Sequence, residues 1–218
     1  MILSRKARKM LDEAGWTECT ITVSNSLDEY LIQDLWMQDA KIDAFGVGER
    51  LITAKSEPVF GCVYKLVAVE DKDGNIVPKI KISENVGKIT TPHFKKLYRF
   101  YGRDTGKAIA DYLTVYDETV DDSQNLEIFD PDATWKRKEV YHFEARELLV
   151  PIYQKGKLVY KRPGIEEIKK YCAEQVDTLW DEVKRFDNPH NYYVDLSQKL
   201  YDIKTELLNE KNERYEKN

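Results

Sequence analysis

The chain has 218 residues, 42% of them hydrophobic and 33% charged, with a formal net charge of −5. That composition excludes a disordered tail, a collagen-like or low-complexity protein, and the basic excess of a nucleic-acid coat. No window approaches the roughly 20 consecutive apolar residues that a membrane-spanning helix needs, so no membrane contact is expected. The opening residues, from Met1 to Lys9, lack the apolar stretch of a secretory signal. Three cysteines, Cys19, Cys62 and Cys172, stand far apart. They form neither a disulfide framework nor a zinc motif, so reduced thiols, a cytoplasmic location and independence from zinc are expected.

The first sixty residues alternate between helix and strand. Ser4 is placed to cap a helix whose apolar stripe is Ala7, Met10, Leu11 and Ala14, with Gly15 as its stop. The β-branched run Cys19 to Val23 predicts a strand. Ser26 and Glu29 have the spacing of a capping box, opening a helix to about Met37. Ile42 to Phe45 predicts a second strand, ending at Gly46-Val47-Gly48. A helix between two strands over so short a distance is a βαβ unit, whose strands should be parallel. Two parallel strands do not make a stable sheet, so either further strands come from elsewhere or the first sixty residues are an unusual edge.

After residue 60 the period changes to that of hairpins. Gly61 to Glu70 and Asn75 to Ser83 flank a turn at Asp71 to Gly74, with Cys62 inside the first run as a small core residue. Lys96 to Tyr101 and Ala108 to Tyr116 make a second pair, and Leu148 to Tyr153 with Lys157 to Tyr160 a third. Residues 117–132 hold seven acids and no base, and read as an exposed acidic loop. A helical stripe runs from Ile165 to Val183, stopping near Asn188-Pro189, and a last helix from about Leu196 carries Leu200, Ile203, Leu207 and Leu208. The charged tail from Asn209 is expected to fray. Three segments result: an α/β part over 1–60, a β-rich part over 61–160 and C-terminal helices over 161–218.

Chemistry is best placed at the ends of the first two strands. In parallel α/β sheets the ligand crevice lies at the carboxyl ends of the strands. Ser24 and Asn25 follow one strand, and Gly46, Val47 and Gly48 follow the other, so both loops aim at one place. Two glycines would let backbone N–H groups approach a phosphate; the plain alternative is a tight turn. The third glycine and ribose-binding acid of a dinucleotide fingerprint are missing. His93, His142 and His190 lack ligand spacing and read as surface or hydrogen-bonded residues. Residues 79–107 carry eight bases against two acids, interleaved with Phe94, Tyr98, Phe100 and Tyr101. A nucleic-acid surface would use such a pattern, but the aromatics fall where strands bury them, so a solvated hairpin face is expected.

The strings Ser24-Asn-Ser-Leu-Asp-Glu-Tyr30 and Ile42-Asp-Ala-Phe-Gly-Val-Gly-Glu-Arg-Leu-Ile-Thr53 resemble the nicotinate phosphoribosyltransferase family. The likeness continues through Gly61 to Val67, Pro78 to Ser83, Thr90-Thr-Pro92, Leu148 to Ile152, Leu179 to Arg185 and Val194 to Ser197. It implies the C-terminal half of a type II phosphoribosyltransferase: part of an irregular α/β barrel, then β-hairpins and a helical extension. The front half, with the histidine that ATP phosphorylates, is expected to be absent. The family joins nicotinate to phosphoribosyl pyrophosphate, giving nicotinate mononucleotide and pyrophosphate, with magnesium on the pyrophosphate and ATP as co-substrate. By the same resemblance, Gly46, Val47 and Gly48 lie against the 5-phosphate and Ser24 and Asn25 near the ribose. Lys65 reaches the phosphate, across a dimer interface or within the chain. A homodimer, or pairing with the missing half, is implied. Glu49 departs from the threonine of many relatives, and a carboxylate there must turn away or meet a base such as Arg50. The competing reading is a non-catalytic phosphate-ligand-binding or regulatory protein derived from that family.

Overall fold

The computed structural model describes residues 1–216, with side chains through residue 210. It divides into two compact units, Met1–Val63 and the residues from Tyr64 onward. In the first, helix α1 (Ile2–Glu13) stops at Gly15, whose φ of +83° is the left-handed conformation expected of a C-terminal glycine. Ser4 is not its cap. It lies within the first turn and is buried; its hydroxyl donates to the Met1 carbonyl at 2.9 Å and accepts the Lys41 N–H at 3.1 Å, tying the helix to the chain ahead of the second strand.

Strands β1 (Thr22–Ser24) and β2 (Ala44–Gly46) pair in parallel, in the register Thr22 to Ala44, Val23 to Phe45 and Ser24 to Gly46. Helix α2 (Glu29–Met37) connects them, completing the expected βαβ unit. Its cap is Asp28 rather than Ser26. Asp28 is extended and its carboxylate accepts the Leu31 N–H at 2.9 Å, whereas Ser26, at φ +52°, has left-handed backbone unsuited to a capping position. The two-stranded sheet shows solvent on both edges and one face: Thr22, Ser24, Ala44 and Gly46 are exposed, and only Val23 and Phe45 are half-buried. Helix α3 (Glu49–Ile52) follows β2.

The second unit opens with a shorter hairpin than the composition predicts: β3 (Ala68–Glu70) and β4 (Ile76–Pro78), turned on Asp71, which accepts the Asp73 and Asn75 N–H groups. Gly61 to Val67 forms no strand, and Cys62 is exposed rather than a core residue. The hairpin β5 (Lys95–Gly102) and β6 (Ala108–Val115) forms as expected. Between it and the later strands, β7 (Leu126–Phe129) and β8 (Arg137–Val140) form a hairpin of their own. The acidic stretch is therefore not all loop. Ile128 and Phe129 are buried, and its acids have structural work: Glu118 accepts the Val115 N–H and the Ser197 hydroxyl, each at 2.7 Å, while Asp122 accepts the Ala145 N–H at 3.0 Å.

Strand β9 (Phe143–Glu147) adds to β5, and β12 (Val194–Leu196) adds in parallel to β6, giving a four-stranded sheet in the order β12-β6-β5-β9. Residues 61–160 and 161–218, separate by composition, thus share one sheet. Tyr98, Phe100, Ala110 and Tyr112 pack against Ile128, Val140 and Phe143 as its core. The remaining pair, β10 (Tyr153–Gln154) and β11 (Lys157–Leu158), is two residues a strand.

Helix α4 (Ile165–Asp177) ends at Thr178, earlier than the apolar stripe suggests, because the Thr178 hydroxyl and N–H both turn back to the Gln175 carbonyl. Helix α5 (Gln198–Glu216) begins after Leu196, since Ser197 accepts the Leu200 N–H at 3.2 Å as its cap. Leu200, fully buried, joins Val115 and Leu196 in a second apolar cluster. The segment from Asn209, expected to fray, is helical through Glu216; the last two residues of that expectation lie outside the described residues. The architecture is mixed α/β, and the described residues form no closed barrel.

Candidate functional site

The parallel register of β1 and β2 sets Ser24 opposite Gly46 at the carboxyl ends of both strands. The Ser24 hydroxyl donates to the Gly46 carbonyl at 3.1 Å, joining the two loops directly. A Cβ on Gly46 would stand 3.2 Å from the Ser24 Oγ, so glycine is what lets the loops close. Asn25, next in line, has φ of +94°, a conformation that asparagine tolerates better than most residues. Val47 is half-buried, and Gly48 caps α3 with a carbonyl that accepts the Leu51 and Ile52 N–H groups. A Cβ on Gly48 would meet nothing within 4 Å, so the space above it is open. Five of the six residues expected at the site therefore share one end of a two-stranded sheet. Lys65, the sixth, belongs to the second unit, exposed in the irregular stretch before β3.

The carboxylate problem at Glu49 is resolved by Lys55 instead of Arg50. The Lys55 ammonium donates to Glu49 Oε1 at 3.0 Å and holds that carboxyl below its usual range, with Arg50 adding a smaller effect. Arg50 itself lies 3.5 Å from Asp28, the cap of α2.

A cavity of about 1040 Å³ lies wholly within the second unit, between the β7–β8 hairpin, the start of β6 and the chain leading into β12. None of the six expected residues lines it. Its most unusual member is Asp195, only 3% exposed, whose carboxyl is pushed up from 3.8 to about 6 by burial first and by Asp130 second, against a weaker opposing pull from Lys138. The sequence held one clue to it: an acid between two apolar residues, Val194 and Leu196. Beneath the strand, Arg99 makes a paired hydrogen bond to Asp111, Nε to Oδ1 at 2.7 Å and a terminal nitrogen to Oδ2 at 2.9 Å. The Tyr192 hydroxyl donates to the same Asp111 at 3.0 Å, and Arg99 lies over its ring. Burial and the neighbouring Asp111 keep the Tyr192 phenol protonated.

The elevated Asp195 carboxyl has a consequence for stability. The folded state holds its proton more tightly than the unfolded chain, so this group favours folding below about pH 4 and loses that contribution as pH rises through about 6. Asp195→Asn removes the buried charge and should stabilise the protein by roughly 2 kcal/mol near neutral pH, with the gain vanishing in acid. Thermal melts of both proteins from pH 4 to pH 8 check this; a difference that stays constant across the series would show that Asp195 carries no such shift.

His142 meets Asp104 at 3.1 Å, while His93 is buried, accepts the Phe94 N–H on Nδ1 and stacks on Tyr116. Among the described residues no three His, Cys, Asp or Glu side chains gather as a metal site, and no helix is long and apolar enough to cross a membrane.

The sequence model of the nicotinate phosphoribosyltransferase C-terminal domain matches residues 94–204, just over half of the chain. The chain belongs to the nicotinate phosphoribosyltransferase family. It is 44% identical over 214 residues to nicotinate phosphoribosyltransferase of Bacillus subtilis (strain 168), covering 98% of this chain and 44% of that relative. With the Caenorhabditis elegans protein of the same name it shares 36% identity over 184 residues, 84% of this chain and 32% of the relative. A crystal structure of human nicotinic acid phosphoribosyltransferase is similar with a TM-score of 0.63 at 22% identity, over 94% of this chain and 36% of that one. At that identity the likeness is one of fold. The chain spans less than half the length of these relatives. Within this nicotinate phosphoribosyltransferase segment, the residues that line the cavity fall inside the matched stretch, and the loops of β1 and β2 fall before it.

Proposed function

We propose that this chain is a phosphoribosyltransferase segment that supplies the 5-phosphate cradle for joining nicotinate to phosphoribosyl pyrophosphate in NAD biosynthesis. The observation that carries the reading is the register of Ser24 against Gly46, which sets both loops at the carboxyl end of one parallel pair, where α/β folds take their ligands. Gly46, Val47 and Gly48 bind the phosphate through backbone N–H groups, and Ser24 and Asn25 face the ribose. In the reaction the anomeric carbon loses pyrophosphate as the pyridine nitrogen attacks, with positive charge developing on the ring. The protein's contribution is orientation of the two reactants and exclusion of competing water. Magnesium enters as part of the substrate, on its pyrophosphate, and ATP is hydrolysed as a co-substrate.

The exposed face and edges of β1 and β2 support a further part of the proposal: these strands are completed into a barrel by additional parallel strands, from a partner or from more polypeptide. A two-stranded parallel sheet lacks the cover on both faces that such sheets require. The assembled enzyme works in the cytoplasm as a homodimer or a paired assembly. The test is nicotinate mononucleotide formation from nicotinate, magnesium and phosphoribosyl pyrophosphate, with and without ATP. Residues 1–218 by themselves should give no turnover, and co-expression with the N-terminal part of a family member should restore it. Robust turnover by a monomer of these 218 residues would overturn the assembly reading; no turnover in any assembly would overturn the enzymatic one.

A further inference from the structure

The cavity of the second unit has the chemistry of a site and no part in the proposed transfer. Asp195 sits at the centre of β12 opposite Tyr112 of β6, so its side chain projects to the face on which the β7–β8 hairpin packs. It is only 3% exposed, its carboxylate oxygens open to the cavity it lines, and it makes no hydrogen bond or ion pair among the described residues. The groups that face it are Asp130 beyond β7, Lys138 on β8 and the Tyr112 phenol, which burial first, then the charges of Glu118 and Asp195, keep protonated. Lys138 does not satisfy it: its ammonium lies over the Tyr193 ring instead, 5.4 Å from the centroid. Asp130 is partly engaged, accepting the Asp132 N–H at 2.9 Å and standing 3.8 Å from the Lys136 ammonium.

A buried carboxylate without a donor, beside a second acid, is costly, and a cation bearing N–H groups relieves both burdens at once. Acids outnumber the two lysines in the cavity lining, so its field favours positive charge. The rings of Tyr193 and Trp180 add surfaces on which cations rest, and Lys138 already shows one ring accepting an ammonium. A metal ion is the poorer fit, because no three ligating side chains converge among the described residues. We propose that this cavity binds a small organic cation through a primary ammonium group that donates hydrogen bonds to the Asp195 carboxylate, beside Asp130 and against the aromatic rings.

Calorimetric titration of the full 218-residue chain with 1,4-diaminobutane tests the proposal, with choline and magnesium chloride as separate titrants. Saturable binding of the diamine is expected near neutral pH. Asp195→Asn should weaken it tenfold or more, and choline, which has no N–H donor, should bind at least tenfold more weakly than the diamine. In the unmodified protein, affinity should fall about tenfold between roughly pH 7.5 and pH 5 as Asp195 takes up its proton, a readout that needs no variant. An unchanged affinity in Asp195→Asn, equal binding of choline, Asp195-dependent binding of magnesium, or no saturable heat up to about 10 mM diamine would each overturn it.

Discussion

Gly48→Val should weaken binding of phosphoribosyl pyrophosphate to the assembled enzyme by a factor of ten or more. A Cβ at this position meets nothing within 4 Å. The capping role of Gly48 in α3 uses only its carbonyl, which valine keeps. What the two added methyl groups fill is the open space over the loop, which a phosphate needs if it is to reach the backbone N–H groups. Gly46→Val is the contrasting case. Its Cβ would press on the Ser24 side chain at 3.2 to 3.3 Å, so lost binding there would be mixed with a disturbed β1–β2 junction. Calorimetry with phosphoribosyl pyrophosphate, beside a thermal melt of each variant, separates the two. Unchanged affinity in Gly48→Val would move the phosphate away from this loop.

Asp111→Ala should cost about 3 kcal/mol of folding stability. Asp111 is buried, takes two hydrogen bonds from Arg99 and a third from Tyr192, and lies on the central strand β6. Removing it strands a guanidinium that is mostly shielded from water, with Asp111 the cause that holds Arg99 so firmly protonated. The loss comes from that uncompensated charge more than from the bond itself. Accordingly, Arg99→Met combined with Asp111→Leu should recover most of it, because replacing both partners leaves no unpaired charge. Tyr192→Phe, which removes one hydrogen bond, should cost only about 1 kcal/mol. Urea denaturation midpoints of the four proteins check the series. A loss below about 1 kcal/mol in Asp111→Ala would show the pair to be solvated in practice.

Local chemistry made the first unit legible. Residues 22–46 had to be a parallel pair because a helix stands between two short β-branched runs, and that connection returns the chain to the same end of the sheet. The same parallelism brings Ser24 beside Gly46, so the candidate phosphate loops could be named from their positions after the strands. Turn residues likewise announced the hairpin at Asp71 to Gly74, since Gly74 adopts the positive φ that such a turn demands. The capping residue of α2 was not decided by spacing alone: Ser26 and Asp28 both qualify by type, and the left-handed backbone at Ser26 selects Asp28.

Where partners come from distant parts of the chain, tertiary structure decided the outcome. Val194–Leu196 is too short to declare itself a strand. It becomes one because the free edge of β6, some eighty residues earlier in sequence, offers it a ladder, and the Ser197 cap then fixes where α5 begins. The acidic stretch conceals β7 for a similar reason: its net charge reads as solvated, while Ile128 is drawn inward by the apolar face of β5, β6 and β9 and Phe129 packs edge-on against Tyr201 of α5. Asp195 is the sharpest instance. Its residue type predicts exposure, but the register that sets it opposite Tyr112 carries it under the β7–β8 hairpin, where burial, and not its sequence neighbours, sets its charge state.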